Sequence, residues 1–251
     1  MTLWKWTLPL LLLIGVWSGC DETVQTPDPV PGRIILTEKS PDSVAVERGI
    51  DAEDPPDRPD PDKNGILVEW RTLDDDELSR YAVYRRAIDS LGNFQRVALV
   101  SPPDTSYNDT EVGLDTTYFY YVRGTNRDGD EGDPSRVDFY RLEGKPLLIS
   151  PDNFQVFAGT FRWEFARYVS QYFILRIERQ VATNRYEPHL LRLLEVVANV
   201  QPEQVWTAAQ AGIGTLPSGT YRWRVDVRNF RDRFPDNREG AESAWGEFVV
   251  P

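Results

Sequence analysis

Thr117-Tyr118-Phe119-Tyr120-Tyr121-Val122-Arg123-Gly124-Thr125-Asn126 is the stretch that decides the fold. Alternation sends Tyr118, Tyr120 and Val122 to one side and Phe119, Tyr121 and Arg123 to the other, the period-two pattern of a strand with one buried face. Upstream, Ile66-Leu67-Val68-Glu69-Trp70 alternates in the same way, with Ile66, Val68 and Trp70 inward. Tyr81-Ala82-Val83-Tyr84-Arg85-Arg86 repeats it, and residues 94–100, 105–109 and 137–142 supply further short apolar runs. Asp128-Gly129 marks a turn before the last of them. Short strands broken by turn signals every ~8–12 residues predict a sandwich or barrel.

The second half repeats the pattern. Phe161, Trp163 and Phe165 alternate as Ile66, Val68 and Trp70 do, residues 172–178 stand in for the Tyr81 strand, and Tyr221-Arg222-Trp223-Arg224-Val225-Asp226-Val227 mirrors the run from Tyr118. Residues 244–250 close the unit. Within the irregular middle, residues 180–210, the stretch 189–197 is read as a strand in preference to a helical insert. The expectation is an all-β chain of two tandem domains, residues 33–145 and 146–251.

The first of these resembles a fibronectin type III domain. Trp70 on the second strand, Tyr81 and Val83 on the third, and Val112 six residues before Tyr118, with Tyr120, Val122, Asn126 and Gly129, carry the likeness. It implies an immunoglobulin-like β-sandwich in which Tyr118 forms a tyrosine corner, its hydroxyl bonding to backbone upstream. Leu216, five residues before Tyr221, takes the place of Val112 in the second domain, which is similar to the immunoglobulin-like modules of bacterial envelope lipoproteins. The long connection over residues 49–65 is the main departure from the family pattern.

At the amino terminus a lone lysine, Lys5, precedes an apolar run from Leu8 to Trp17 and then Ser18-Gly19-Cys20. This is the order of a secretory signal peptide and is short for a bilayer span. With the chain's single cysteine after Ser-Gly, the segment resembles a bacterial lipoprotein signal. That implies residues 1–19 are removed, Cys20 is lipidated, and residues 20–32, rich in proline, tether the protein to a membrane. The expected address is the bacterial cell envelope, at the outer membrane.

Composition narrows function by exclusion. A formal charge of −12 argues against a phosphate-backbone ligand, so nucleic acid is not an expected partner. One cysteine forbids an internal disulfide, and one histidine, His189, removes the usual zinc sites and the common nucleophile–base pairs. The expectation is a non-catalytic chain without a cofactor.

Three features remain that could carry function. Asp60, Asp62 and Asn64, followed by Gly65, fit the opening of an EF-hand-type calcium loop, although Arg71 stands where the bidentate glutamate belongs. Tyr84, Phe119, Tyr121 and Arg123 fall on the outward face of neighbouring strands, a pattern for binding protein or sugar. Finally, the acidic connection over residues 49–65 is placed to face the arginine-rich segment 228–238 of the second domain. Exposed ion pairs of about 0–1 kcal/mol each would then fix the angle between domains. The function these readings support is an envelope interaction, adhesion or scaffold module, with a carbohydrate-binding accessory lipoprotein of a glycan-uptake system as the alternative. The partner is accordingly an envelope protein or a surface glycan.

Overall fold

The computed structural model describes residues 29–54, 63–89, 92–165, 172–195, 202–228 and 238–251. Their regular elements are all strands: β1 (Asp51–Glu53), β2 (Gly65–Glu69), β3 (Arg80–Ala87), β4 (Gln95–Val100), β5 (Ser106–Asp109), β6 (Thr117–Thr125) and β7 (Asp138–Leu142) in the first half. The second half holds β8 (Leu147–Ser150), β9 (Gln155–Val156), β10 (Thr160–Glu164), β11 (Tyr172–Ala182), β12 (Arg185–Glu195), β13 (Glu203–Thr207), β14 (Gly219–Arg228), β15 (Glu239–Glu242) and β16 (Gly246–Val250). The chain is all-β, with two immunoglobulin-like sandwiches of fibronectin type III strand order.

In the first, the sheet β1-β2-β5 faces β4-β3-β6-β7. In the second, β8-β10-β13 faces β12-β11-β14, which β15 and β16 extend by pairing with opposite ends of β14. Each gap is filled by the inward residues of the alternating runs. Trp70, Tyr81, Val83, Tyr120 and Val122 are buried in one cluster, and Phe161, Trp163, Phe173, Tyr221, Trp223 and Phe248 in the other. Each such large side chain contributes about 1.5–3 kcal/mol by leaving water.

Local bonding explains why the edges of these runs sit where they do. Gly113 N–H donates to the Tyr118 hydroxyl at 3.0 Å, and the Tyr221 hydroxyl donates to Pro217 O at 2.7 Å, so both domains have a tyrosine tied to backbone upstream. The 49–65 connection contains a strand: β1 pairs antiparallel with β2, Asp51 opposite Leu67. Within the irregular middle of the second domain lies the strand β12, paired with β11 along its length around bulges at Ile177/Glu178 and Gln180/Ala182.

The two halves share backbone hydrogen bonds as well as a boundary. β7 and β15 pair in parallel, Glu239 opposite Arg141, so the two larger sheets run into one another. On its other side β15 packs closely on β14 at Gly240, where a Cβ would stand 2.4 Å from Val227 O.

Candidate functional site

Two places gather chemically active side chains, and both lie on the outward face of the larger sheets. The first is the boundary between the domains. On β11 the inward residues Phe173, Leu175 and Ile177 alternate with outward Ile174 and Arg176, and on β14 inward Trp223 and Val225 alternate with outward Arg222, Arg224 and Asp226. Antiparallel register sets Arg176 beside Arg224. Two adjacent guanidiniums repel unless anions separate them, and the loop over residues 41–49 of the first domain supplies one. Glu47 receives Arg176 at 2.5 Å on one carboxylate oxygen and Arg224 at 2.7 Å on the other.

Backbone completes the docking. Arg176 donates to Asp42 O at 2.6 Å and Val44 O at 2.7 Å, and pairs with Asp226. Arg224 donates to Glu242 at 2.8 Å. Behind the loop, Lys39 holds Asp51 at 2.5 Å and Asp42 at 2.9 Å. Asn64 fastens the same boundary from β2's end: its Nδ2 donates to Glu242 O at 3.0 Å and its Oδ1 accepts Glu242 N–H at 2.8 Å.

The crowding is visible in the acidities. Burial, then Asp226 and Asp51, push the Glu47 carboxyl up to about 8 against the pull of Arg224 and Arg176. Burial lifts Glu242 in the same direction, with Arg224 opposing and Asp226 and Glu47 reinforcing. For Arg224, burial works against the charge, but Asp226, Glu242 and Glu47 outweigh it and hold the guanidinium above its usual range. Asp42, Glu47 and Asp51, and likewise Glu47, Asp226 and Glu242, bring carboxylate oxygens within 4.8 Å of one another. Lys39, Arg176 and Arg224 already stand among them as counter-charges, so the arrangement is an ion-pair cluster. Beside it opens a cleft of about 360 Å³ whose walls include Glu53, Tyr186, Arg222 and Trp245.

The second place is the outward face of β4-β3-β6-β7. Tyr84 lies opposite Tyr121, and Arg86 opposite Phe119. The Tyr84 and Tyr121 rings stack at 4.8 Å with 15° between planes, and Phe94 tilts onto Tyr121 at 4.8 Å. Arg123 lies 5.6 Å over Tyr121, and Arg86 lies 5.2 Å from both Phe94 and Phe119. The structure therefore brings Tyr84, Phe119, Tyr121 and Arg123 together. They form a half-buried ladder in which the Tyr84 and Tyr121 rings stack on each other and guanidiniums lie over the Tyr121 and Phe119 rings. The Tyr84 hydroxyl donates to Glu131, and burial together with that bond pushes its pKa up to about 12.

The remaining expectations fall elsewhere. Cys20, Asp60, Asp62 and residues 229–237 of the arginine-rich segment lie outside the described residues, as does the amino-terminal apolar run. Asn64, the third residue of the calcium motif, is buried and spends both ends of its carboxamide on Glu242. The expected exposed pairing of the 49–65 connection with segment 228–238 needs correction where both sides are described. The pairs across the boundary are buried, and they run mainly from the 41–49 loop to the strand residues Arg176 and Arg224. Of the described residues of the arginine-rich segment, its two ends take part: Arg228 lies 3.5 Å from Asp42, and Arg238 pairs with Asp138. Among the described residues, no helix is long and apolar enough to cross a membrane.

Sequence reasoning missed Arg176, Arg224 and Glu47. Charges alternating with large apolar residues read as a solvent face, and only the distant 41–49 loop turns that face into an interior.

No family model and no curated protein matches the chain. A solved structure described as the FN1–FN3 domains of chicken CNTN1 is similar at 15% identity and a TM-score of 0.30. The match covers 80% of this chain and 65% of that one. The strand order, three strands against four in each half, defines the class here: tandem fibronectin type III-like sandwiches.

Proposed function

We propose that this chain is a non-catalytic cell-envelope lipoprotein, anchored through Cys20, whose joined sandwiches act as a protein-interaction or scaffold module. The observation that carries the reading is the buried boundary. Arg176, Arg224 and Glu47 sit at 6%, 14% and 14% side-chain exposure, and β7 and β15 share a sheet across it. Buried and mutually satisfied charges tie two domains into one geometry, whereas domains with small wet interfaces move freely. Fixed geometry suits a protein that holds a partner at a set distance and angle from a membrane.

The glycan reading has less support, since sugars stack on open ring faces and the faces of Tyr84 and Tyr121 are turned on each other. The test is crosslinking of the native protein in intact envelopes, then detergent extraction, affinity capture and mass spectrometry. Recovery of one envelope protein in near-equal amount is the expected result. Recovery of the lipoprotein alone, with saturable binding to a glycan array, overturns it.

A further inference from the structure

The arginines on the ladder of the first domain are not alike. Arg96 lies 4.0 Å and Arg123 3.6 Å from Glu131, Arg141 lies 3.1 Å from Asp115, and Arg136 and Arg238 both reach Asp138. Arg86 is different. Its guanidinium is gripped between Phe94 and Phe119, its Nε is buried without a hydrogen-bond partner, and among the described residues no carboxylate pairs with it. Near it Arg96 and Arg123 share the single carboxylate of Glu131. A chain of net charge −12 thus carries a local excess of positive charge on this half-buried aromatic face.

The same molecule shows what such a face accepts. In the second domain Arg176 and Arg224 face each other across β11 and β14, on the outward face where the first domain has Tyr84 and Tyr121, and they are covered by an irregular loop that brings Glu47 and the carbonyls of Asp42 and Val44. Arginine favours this role because its planar fork fits carboxylates with two parallel bonds. Rings gripping the guanidinium fix its plane before a partner arrives, lowering the ordering cost of binding.

We propose that the outward face of β3 and β6, centred on Arg86, is a docking surface for an acidic, extended segment of a partner protein, with a carboxylate seated on the Arg86 guanidinium. This rests on the reading of the chain as an interaction module and specifies the chemistry of its partner.

The probe is a fluorescent deca-glutamate peptide, titrated into the purified soluble chain at about 20 mM and about 150 mM salt. Saturable, salt-sensitive binding is expected, weakened about ten-fold in Arg86→Ala and several-fold in Arg86→Lys. Arg185→Ala, at the far strand β12, should leave it unchanged. Matching melting curves separate lost binding from lost fold. Absence of saturable binding, or equal affinity in Arg86→Ala, overturns the proposal. So does Arg86-dependent preference for a polyuronate chain or for phosphatidylglycerol vesicles over the peptide, or Arg86-dependent self-association in sedimentation. An envelope protein captured equally well by wild type and Arg86→Ala would overturn this inference while leaving the module reading in place.

Discussion

The outward face of β3 and β6 and that of β11 and β14 begin from the same pattern, aromatic or aliphatic residues inward and arginines among the outward positions, and end in opposite states. In the second domain the face is roofed by residues 41–49, and its guanidiniums meet Glu47, Asp226 and Glu242. In the first domain Glu131 and the Gly132 carbonyl reach one part of the face, and the arginines are held by ring planes and by these two groups. Arginine serves both, because its stem packs against rings and its head is less hydrated than an ammonium. What separates the faces is how many carboxylates arrive from within the chain: Glu47, Asp226 and Glu242 meet Arg176 and Arg224, whereas Glu131 serves Arg96 and Arg123 and, among the described residues, no carboxylate reaches Arg86. One face is thereby spent on architecture while its counterpart stays available.

The comparison breaks most visibly at Arg224. Replacing it with alanine leaves Glu47, Asp226 and Glu242 buried around an absent cation, which costs about 3–5 kcal/mol for a buried pair broken on one side. Urea denaturation should show that loss, and small-angle scattering should show a broadened distance distribution as the domains part. Arg86→Ala on the open face should cost less than about 1 kcal/mol, since it strands no buried anion. Equal costs for the two substitutions would mean that the roofed cluster is no more integral than the exposed ladder.

Acidity sharpens the same contrast. The Glu47 carboxyl is raised from near 4.5 to about 8 in the folded chain. The folded state therefore binds the proton more tightly than the unfolded one, and stability falls as pH rises between those values before levelling above about 8. Glu242 and Asp42, both raised mainly by burial, act in the same sense. Denaturation midpoints measured from pH 5 to about pH 9 should decline, and Glu47→Gln, which keeps a hydrogen-bonding end group without the titration, should flatten the decline. An unchanged slope in that variant would remove Glu47 from the account.

These consequences were unevenly legible in the sequence. Alternation at Ile66–Trp70, Tyr118–Val122 and Tyr221–Val227 specifies strands because a one-residue slip would turn Trp70, Tyr120 or Trp223 into solvent. The tyrosine ties were equally local, spanning only the residues from Gly113 to Tyr118 and from Pro217 to Tyr221. The boundary was not local. Asp42 and Glu47 belong to a polar loop without periodicity, and their partners lie on strands of the other domain, so neither side signals burial by itself. Asn64 is a second non-local case: its spacing from Asp60 and Asp62 fits a calcium loop, while its bonds to the Glu242 backbone are set by how the sandwiches meet.

The smallest effect comes from the ladder itself. Tyr84 and Tyr121 stack across β3 and β6, and such a pair is worth about 0.5–1.5 kcal/mol beyond the area it buries. Tyr84→Ser and Tyr121→Ser, alone and together, should yield a coupling energy of that size in a double-mutant cycle read by urea denaturation. Tyr84→Ser also removes the hydroxyl bonded to Glu131, freeing that carboxylate to draw Arg96 and Arg123 closer. If the ladder serves to hold arginines for a partner, the Tyr121 substitution should weaken deca-glutamate binding more than its modest cost in stability suggests, because it releases Arg123 from its ring. If the ladder only packs the sheet, stability and binding should fall in proportion, and the open face would differ from the roofed one in exposure alone.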